Sequence, residues 1–311
     1  MSLGYNRSLY LLPFDHRNSY LTGMFNLTPP LTAGERERVV DSKLLIYDGF
    51  RRGVGNDVAI STAAILVDEE FGADILRDAV KSGYVTALST EKSGSNEFEF
   101  EYGAAFAEHI EAFAPTFAKV LVRYNPEGDG ALNRRQTARL KQLSDYCRAE
   151  DQLFMFELLV PATKEQMDRV QADERAYDLR IRPALMLQTI RMLQDAGVEP
   201  DVWKIEGLDR REDCERVVET VRRDGRHEVG CIVLGRGADE KKVVGWLETA
   251  GSVPGFIGFA VGRTTFWEPV VDWRAGKLTR EAAVAEIARR YQEFVGIFER
   301  GKRSAGWTDA A

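Results

Sequence analysis

Histidine and cysteine are scarce in this chain: each occurs three times in 311 residues. Zinc enzymes built on barrels need clustered imidazoles. Of the three histidines, His109 falls in a helical pattern and His227 in a polar connection, so a histidine ligand set is not expected. Cys147, Cys214 and Cys231 show no Cys-X-X-Cys spacing, which points to a reducing, cytoplasmic compartment. No tract of about 18 apolar residues could span a bilayer, and no charged leader precedes an apolar signal core. A Gly-X-Gly-X-X-Gly run after the first apolar segment is missing, as are a P-loop and a serine-nucleophile motif. No long Pro, Gly or Ser linker divides the chain, so residues 1–311 read as one domain. The net charge of −7 is dispersed, with Lys and Arg among acids, and neither nucleic acid nor a membrane surface is an expected partner.

What is present is an alternation of short apolar runs with longer segments of helical period. The runs are Leu9 to Phe14, Ala63 to Val67, Val85 to Leu88, Ala118 to Tyr124, Leu153 to Val160, Val202 to Ile205, Cys231 to Leu234 and Phe256 to Val261. Amphipathic stretches lie between them, at Asp74 to Lys81, Glu101 to Ala112, Asn133 to Ala149, Arg182 to Gly197, Asp213 to Arg223 and Lys241 to Ala250. Eight strands alternating with helices predict an α/β protein with a single (β/α)8 TIM barrel, although an open doubly wound sheet alternates too. Ser19 to Gly53 carries a Thr-Pro-Pro turn and then a helix with Val39, Val40, Leu44 and Leu45, which extends the first βα connection. Thr279 to Arg300 predicts a C-terminal helix closing the outer ring, and Gly301 to Ala311 a mobile tail. The pattern shows no diagnostic seam for a homo-oligomer, which is left open.

In such a barrel the reactive groups come from the C-terminal ends of the strands. Every predicted strand delivers charge there: Asp15-His16-Arg17, Asp68-Glu69-Glu70, Glu91-Lys92, Lys119 with Arg123, Glu157, Lys204 with Glu206, Gly235-Arg236-Gly237 and Gly262-Arg263. The last two follow the strands whose loops usually grip phosphate; glycine admits backbone N–H groups close to an anion and arginine supplies a fork. A phosphorylated small-molecule substrate is the working expectation. Magnesium held by Asp15, Asp68, Glu69 or Glu91 is a competing arrangement, because oxygen ligands have no fixed spacing here.

Lys204 stands in Val202-Trp203-Lys204-Ile205, where a charged amine has no packing reason to be. Desolvation favours the neutral amine, a nucleophile for carbonyl carbon. Glu157, inside Phe154 to Leu159, would be costly unpaired. Lys119, on the fourth strand, and Lys204, on the sixth, flank it, placing amine, carboxylate and amine in adjoining positions. The same trio also reads as a buried ion-pair network.

The stretches Leu12 to Arg17, Glu91-Lys92-Ser93-Gly94, Lys119 to Pro126, Phe156 to Pro161, Trp203-Lys204-Ile205-Glu206-Gly207 and Gly258 to Arg263 carry a resemblance. Together they resemble the aldolase-like domain of unknown function fused to the 5-dehydro-2-deoxygluconokinase of bacterial myo-inositol catabolism, over nearly the whole chain. More distantly, through short strand motifs, they are similar to class I tagatose-1,6-bisphosphate aldolases. The second resemblance implies a Schiff-base lysine at Lys204, an acid/base carboxylate at Glu157 and substrate contacts from Asp15, His16 and Lys119. It also implies phosphate held by Gly235, Arg236, Gly237, Gly262 and Arg263. Where those aldolases have glutamine after the first-strand aspartate, this chain has His16. The first resemblance implies cleavage of 2-deoxy-5-keto-gluconate 6-phosphate to dihydroxyacetone phosphate and malonate semialdehyde, although the kinase half is absent. Arg17, Lys92 and Arg123 are unranked candidates for the far carboxylate, and Glu206 for a further substrate contact. The chemistry expected is that of a class I aldolase, with no metal or organic cofactor. A carboxylate-bound-metal lyase or isomerase and a catalytically silent sugar-phosphate-binding domain are the alternatives.

Overall fold

Strands β1 (Leu9–Pro13), β2 (Ala63–Val67), β3 (Val85–Ser89), β4 (Phe117–Arg123), β5 (Leu153–Leu159), β6 (Val202–Glu206), β7 (Gly230–Leu234) and β8 (Phe256–Ala260) close into an all-parallel barrel. The structure, a computed structural model, describes residues 3–55, 58–237 and 239–306. Each apolar run in the sequence carries one strand, because strands covered on both faces need no polar alternation. Closure between β1 and β8 depends on Gly258, paired with Leu9, where a Cβ would collide with the Leu9 carbonyl.

The helices are α1 (Asn18–Tyr20), α2 (Ala33–Gly53), α3 (Glu69–Lys81), α4 (Phe106–Phe113), α5 (Gly130–Ala149), α6 (Lys164–Arg169), α7 (Glu174–Arg180), α8 (Arg182–Asp195), α9 (Arg211–Val221), α10 (Glu240–Gly251), α11 (Arg263–Arg274) and α12 (Arg280–Ser304). A π-helical turn at Leu21–Phe25 lengthens the first connection. Helix α2 starts at a capping box in which Thr32 and Glu35 satisfy each other's backbone N–H groups. It packs against α12 through Gly49, where a Cβ would sit 2.5 Å from Ile287. Helix α12 extends into the stretch expected as a mobile tail: Gly301 and Lys302 are buried, and Lys302 Nζ donates to Ser8 Oγ. The end of that stretch, 307–311, lies outside the described residues.

Four helices are illegible in the periodicity. Helices α1, α6 and α7 are too short to show a repeat, and α11 hides behind an internal Pro269. Helix α3 begins earlier than its apolar pattern, because Asp68 accepts from Phe71 N and caps it. Among the described residues, no helix is long and apolar enough to cross a membrane.

The core has two layers. Phe154, Phe156 and Trp203 belong to the outer cluster between strands and helices, while Leu11, Leu66, Phe117, Met155, Val202 and Ile232 belong to the inner cluster. Tyr5 packs edge-on against Phe117 in that inner cluster. The next same-face positions along three strands are Lys119 after Phe117, Glu157 after Met155 and Lys204 after Val202, since side chains alternate with period two. The barrel is apolar at its base and charged one layer higher.

Candidate active site

That charged layer is the floor of a cavity of about 390 Å³ opening at the C-terminal ends of the strands. Register places Glu157 directly beside Lys204 on neighbouring strands. Lys204 Nζ lies 2.7 Å from Glu157 Oε2, and Lys119 Nζ reaches the same oxygen at 2.9 Å. Lys119 Nζ also donates to Asp15 Oδ2 and to Glu91 Oε1, both at 2.8 Å. One fully buried ammonium therefore gathers three carboxylates, from the ends of β1, β3 and β5.

The charges settle unequally. Burial disfavours the Lys119 ammonium, but Asp15, Glu157 and Glu91 outweigh it and raise its pKa well above the usual lysine value. Burial alone would raise Asp15 and Glu157; Lys119 and Lys204 instead hold both below the usual carboxylate range. Glu91 goes the other way, pushed up by burial and by Asp15 against the pull of Lys119. Its Oε2 is buried and makes no hydrogen bond. His16 is lowered by burial to about 4, with Arg263 and Lys204 adding to the effect, so the ring is neutral at pH 7. Its Nδ1 is buried and likewise makes no hydrogen bond.

Asp15, His16, Arg17, Lys92, Arg123, Glu157, Lys204, Gly235, Arg236, Gly237, Gly262 and Arg263 all line the cavity. Lys119 is not among the lining residues; it meets the cavity through the carboxylates it holds. Glu206, expected to contact substrate, does not line the cavity either. Its Oε2 accepts from Val160 N, its Oε1 lies 3.1 Å from Arg236 Nε, and Arg182 stands 3.8 Å away. Helix α8 supplies Arg182, and that cation turns Glu206 into a brace between β5 and β6.

The arginines divide by partner. Arg17 is engaged by Glu101 and by the Glu91 carbonyl, and Arg236 by Asp178 and Glu206. Arg123 donates to Ser95 O at 3.3 Å and Arg263 to Arg236 O at 3.1 Å, and neither has a carboxylate partner among the described residues. Lys92 has Glu99 at 3.4 Å. Arg236 sits at φ 52°, a left-handed conformation unusual for a residue with a side chain, between Gly235 and Gly237.

Among the described residues, no group of three or more His, Cys, Asp or Glu side chains is placed to hold a metal ion. Asp68 instead pairs with Lys43 and caps α3, and Glu69 meets His109, which stacks flat on Tyr102. The three cysteines are buried and unbridged.

Over residues 4–302 the sequence matches DUF2090, a family described as uncharacterized protein conserved in bacteria. The chain belongs to the DUF2090 family. No curated protein sequence matches it. In fold, this DUF2090 barrel is similar to the fructose-bisphosphate aldolase of Plasmodium falciparum, solved with TRAP and a small-molecule inhibitor. That likeness has a TM-score of 0.62 at 13% identity, covering 96% of this chain and 92% of the other. It is similar to Cgl0159 of Corynebacterium glutamicum, with a TM-score of 0.57 at 17% identity over 94% and 88% of the two chains. It is also similar to the fructose-bisphosphate aldolase of Slackia heliotrinireducens, with a TM-score of 0.54 at 11% identity over 90% and 85%. At these identities the likeness establishes the TIM-barrel fold and no more.

Glu91 takes a role in the DUF2090 cavity that the sequence did not suggest. It was expected as a rim charge, a candidate magnesium ligand and part of the Glu91-Lys92-Ser93-Gly94 resemblance; its contact with Lys119 depends on how β3 and β4 pair, with Ser89 opposite Lys119.

Proposed function

We propose that this protein is a class I aldolase that cleaves a phosphorylated keto sugar acid through a Schiff base at Lys204. The contact between Lys204 Nζ and Glu157 Oε2 at 2.7 Å, on the floor of the cavity, carries this reading. An amine needs a base beside it to shed its proton, and a carbinolamine needs an acid to lose water; one carboxylate can do both in turn.

With 2-deoxy-5-keto-gluconate 6-phosphate, the Lys204 amine adds to the keto carbon, and loss of water gives the iminium. A base takes the proton of the hydroxyl two carbons from the iminium carbon. The intervening C–C bond then breaks, its electron pair forming the enamine while the hydroxyl carbon leaves as the aldehyde of malonate semialdehyde. Protonation of the enamine carbon and hydrolysis release dihydroxyacetone phosphate and the free lysine. Glu157 serves as the proton shuttle, and Asp15 and His16 contact substrate oxygens. Lys119 keeps Glu157 and Asp15 ionised. No metal or organic cofactor enters these steps.

The two cavity-lining arginines that have no carboxylate partner among the described residues, Arg123 and Arg263, support a substrate with an anion at each end. Arg123 ends β4 and Arg263 follows β8, four strands apart in the closed ring of eight and hence on opposite sides of the mouth. Lys204, on β6, is midway between them. Arg263 and the N–H groups around Gly237 and Gly262 suit the phosphate next to the keto carbon. Arg123 ranks ahead of the carboxylate-bound Arg17 for the distant carboxylate.

The test is borohydride reduction in the presence of a panel of keto sugar phosphates, with mass mapping. The expected result is an adduct on Lys204, absent in Lys204→Ala, and cleavage activity that survives EDTA. Activity abolished by chelation, with no lysine modified, would overturn the proposal.

A further inference from the structure

Lys43 is a fully buried ammonium that the chemistry above does not use. It projects from α2, an outer helix, to the top of β1. Its Nζ donates to Phe14 O at 2.9 Å and to His16 O at 3.2 Å, and it pairs with the equally buried Asp68. The two carbonyls are those on either side of Asp15. Asp68 is fixed in turn, because its second oxygen accepts from Phe71 N at 2.9 Å and caps α3. Neither Lys43 nor Asp68 lines the cavity.

A buried ion pair is a poor way to add stability, since an apolar pair of similar volume does as well or better. What the pair supplies here is direction. The turn after β1 leaves the strand with two carbonyls aimed at α2, and a cation there fixes both. We propose that Lys43 and Asp68 are positioning residues: they clamp the Phe14–His16 turn from outside the barrel, so that Asp15 meets Lys119 and His16 is held at the cavity wall. The catalytic consequence rests on the function proposed above; the positional one does not.

The pair Lys43→Met/Asp68→Asn removes one cation and one anion together, and the Asp68→Asn change retains a side-chain oxygen for the helix cap. Two readouts apply to variants whose melting shows cooperative folding. The first is the NMR titration of His16, whose neighbours are Asp15, Glu157, Lys204 and Arg263. Loosening the turn admits water, and the midpoint moves up from about 4 toward the ordinary value of 6.5. The second is kinetic: kcat falls at least tenfold with KM changed less, while borohydride still traps substrate on Lys204, whose strand the clamp does not touch. A folded double variant with His16 titrating as in the wild type and kcat unchanged overturns the clamp. Where the Met variant does not fold, Lys43→Gln/Asp68→Asn decides by the same readouts. Its shorter amide releases at least one carbonyl, so intermediate shifts are expected and unchanged values overturn. A wild type that traps no substrate counts against the aldolase reading alone, and the His16 titration still decides the clamp.

Discussion

Protonation at His16 ties the cavity to stability. Its folded pKa is depressed to about 4 from 6.5, so between these values the unfolded chain binds a proton that the folded chain refuses. Stability from this group is complete above pH 6.5 and is lost as pH falls through the window. Asp15 and Glu157, also depressed, lose their contribution only below the usual carboxylate range. Glu91, raised, has the opposite slope, its contribution fading as pH increases through its folded pKa. The difference between wild type and His16→Asn therefore isolates the histidine. Urea titrations from pH 4 to 7 are expected to show the wild type losing more stability on acidification than the variant; parallel curves would refute a neutral, buried His16. Residues also show where reading the chain stops. Lys204, Glu157 and Lys119 announce themselves as charges inside apolar runs. Glu206 does so equally, yet Arg182 and Arg236 claim it. A strand's own sequence cannot tell a carboxylate that faces substrate from one that faces a helix-borne arginine.

Among the elements, the strands were legible and the helices partly so. Strands such as Ala63–Val67 are continuous apolar runs because both faces are covered, whereas α2 hides its buried Lys43 among the polar residues of its first half. The closure of β1 on β8 gives a sharp test. Gly258→Ala places a methyl group into the Leu9 carbonyl, and the two strands must part at the seam. A loss of about 3 kcal/mol is expected from overpacking at this rigid point, measured by urea unfolding. A value near zero would mean that the seam yields. The same substitution at Gly34, where a Cβ meets nothing within 4 Å, is the control.

At the scale of the molecule, the C-terminal helix is part of the barrel's outer wall. Ile297 and Phe298 are buried, Gly301 packs on Gly251, and Tyr291 donates to the Tyr10 carbonyl of β1. Deleting residues 297–311 exposes the surface that Ile297 and Phe298 cover, and at about 1.5–3 kcal/mol for each buried side chain the loss is about 3–6 kcal/mol. A thermal melt unchanged by the deletion would show that the helix end is dispensable.

The sequence by itself determined the eight apolar strands, their alternation with helices and the layer of charge above the apolar base, because period and hydrophobicity are local properties that any window of chain displays. Strand order already set Lys119, Glu157 and Lys204 side by side; only the tertiary structure decided which further charges meet. Lys119 finds Asp15 and Glu91 through the register of a closed barrel, and Lys43 finds Asp68 across helix and strand. Electrostatic partnership depends on distances of a few ångströms between residues far apart in the chain, and no local pattern encodes them.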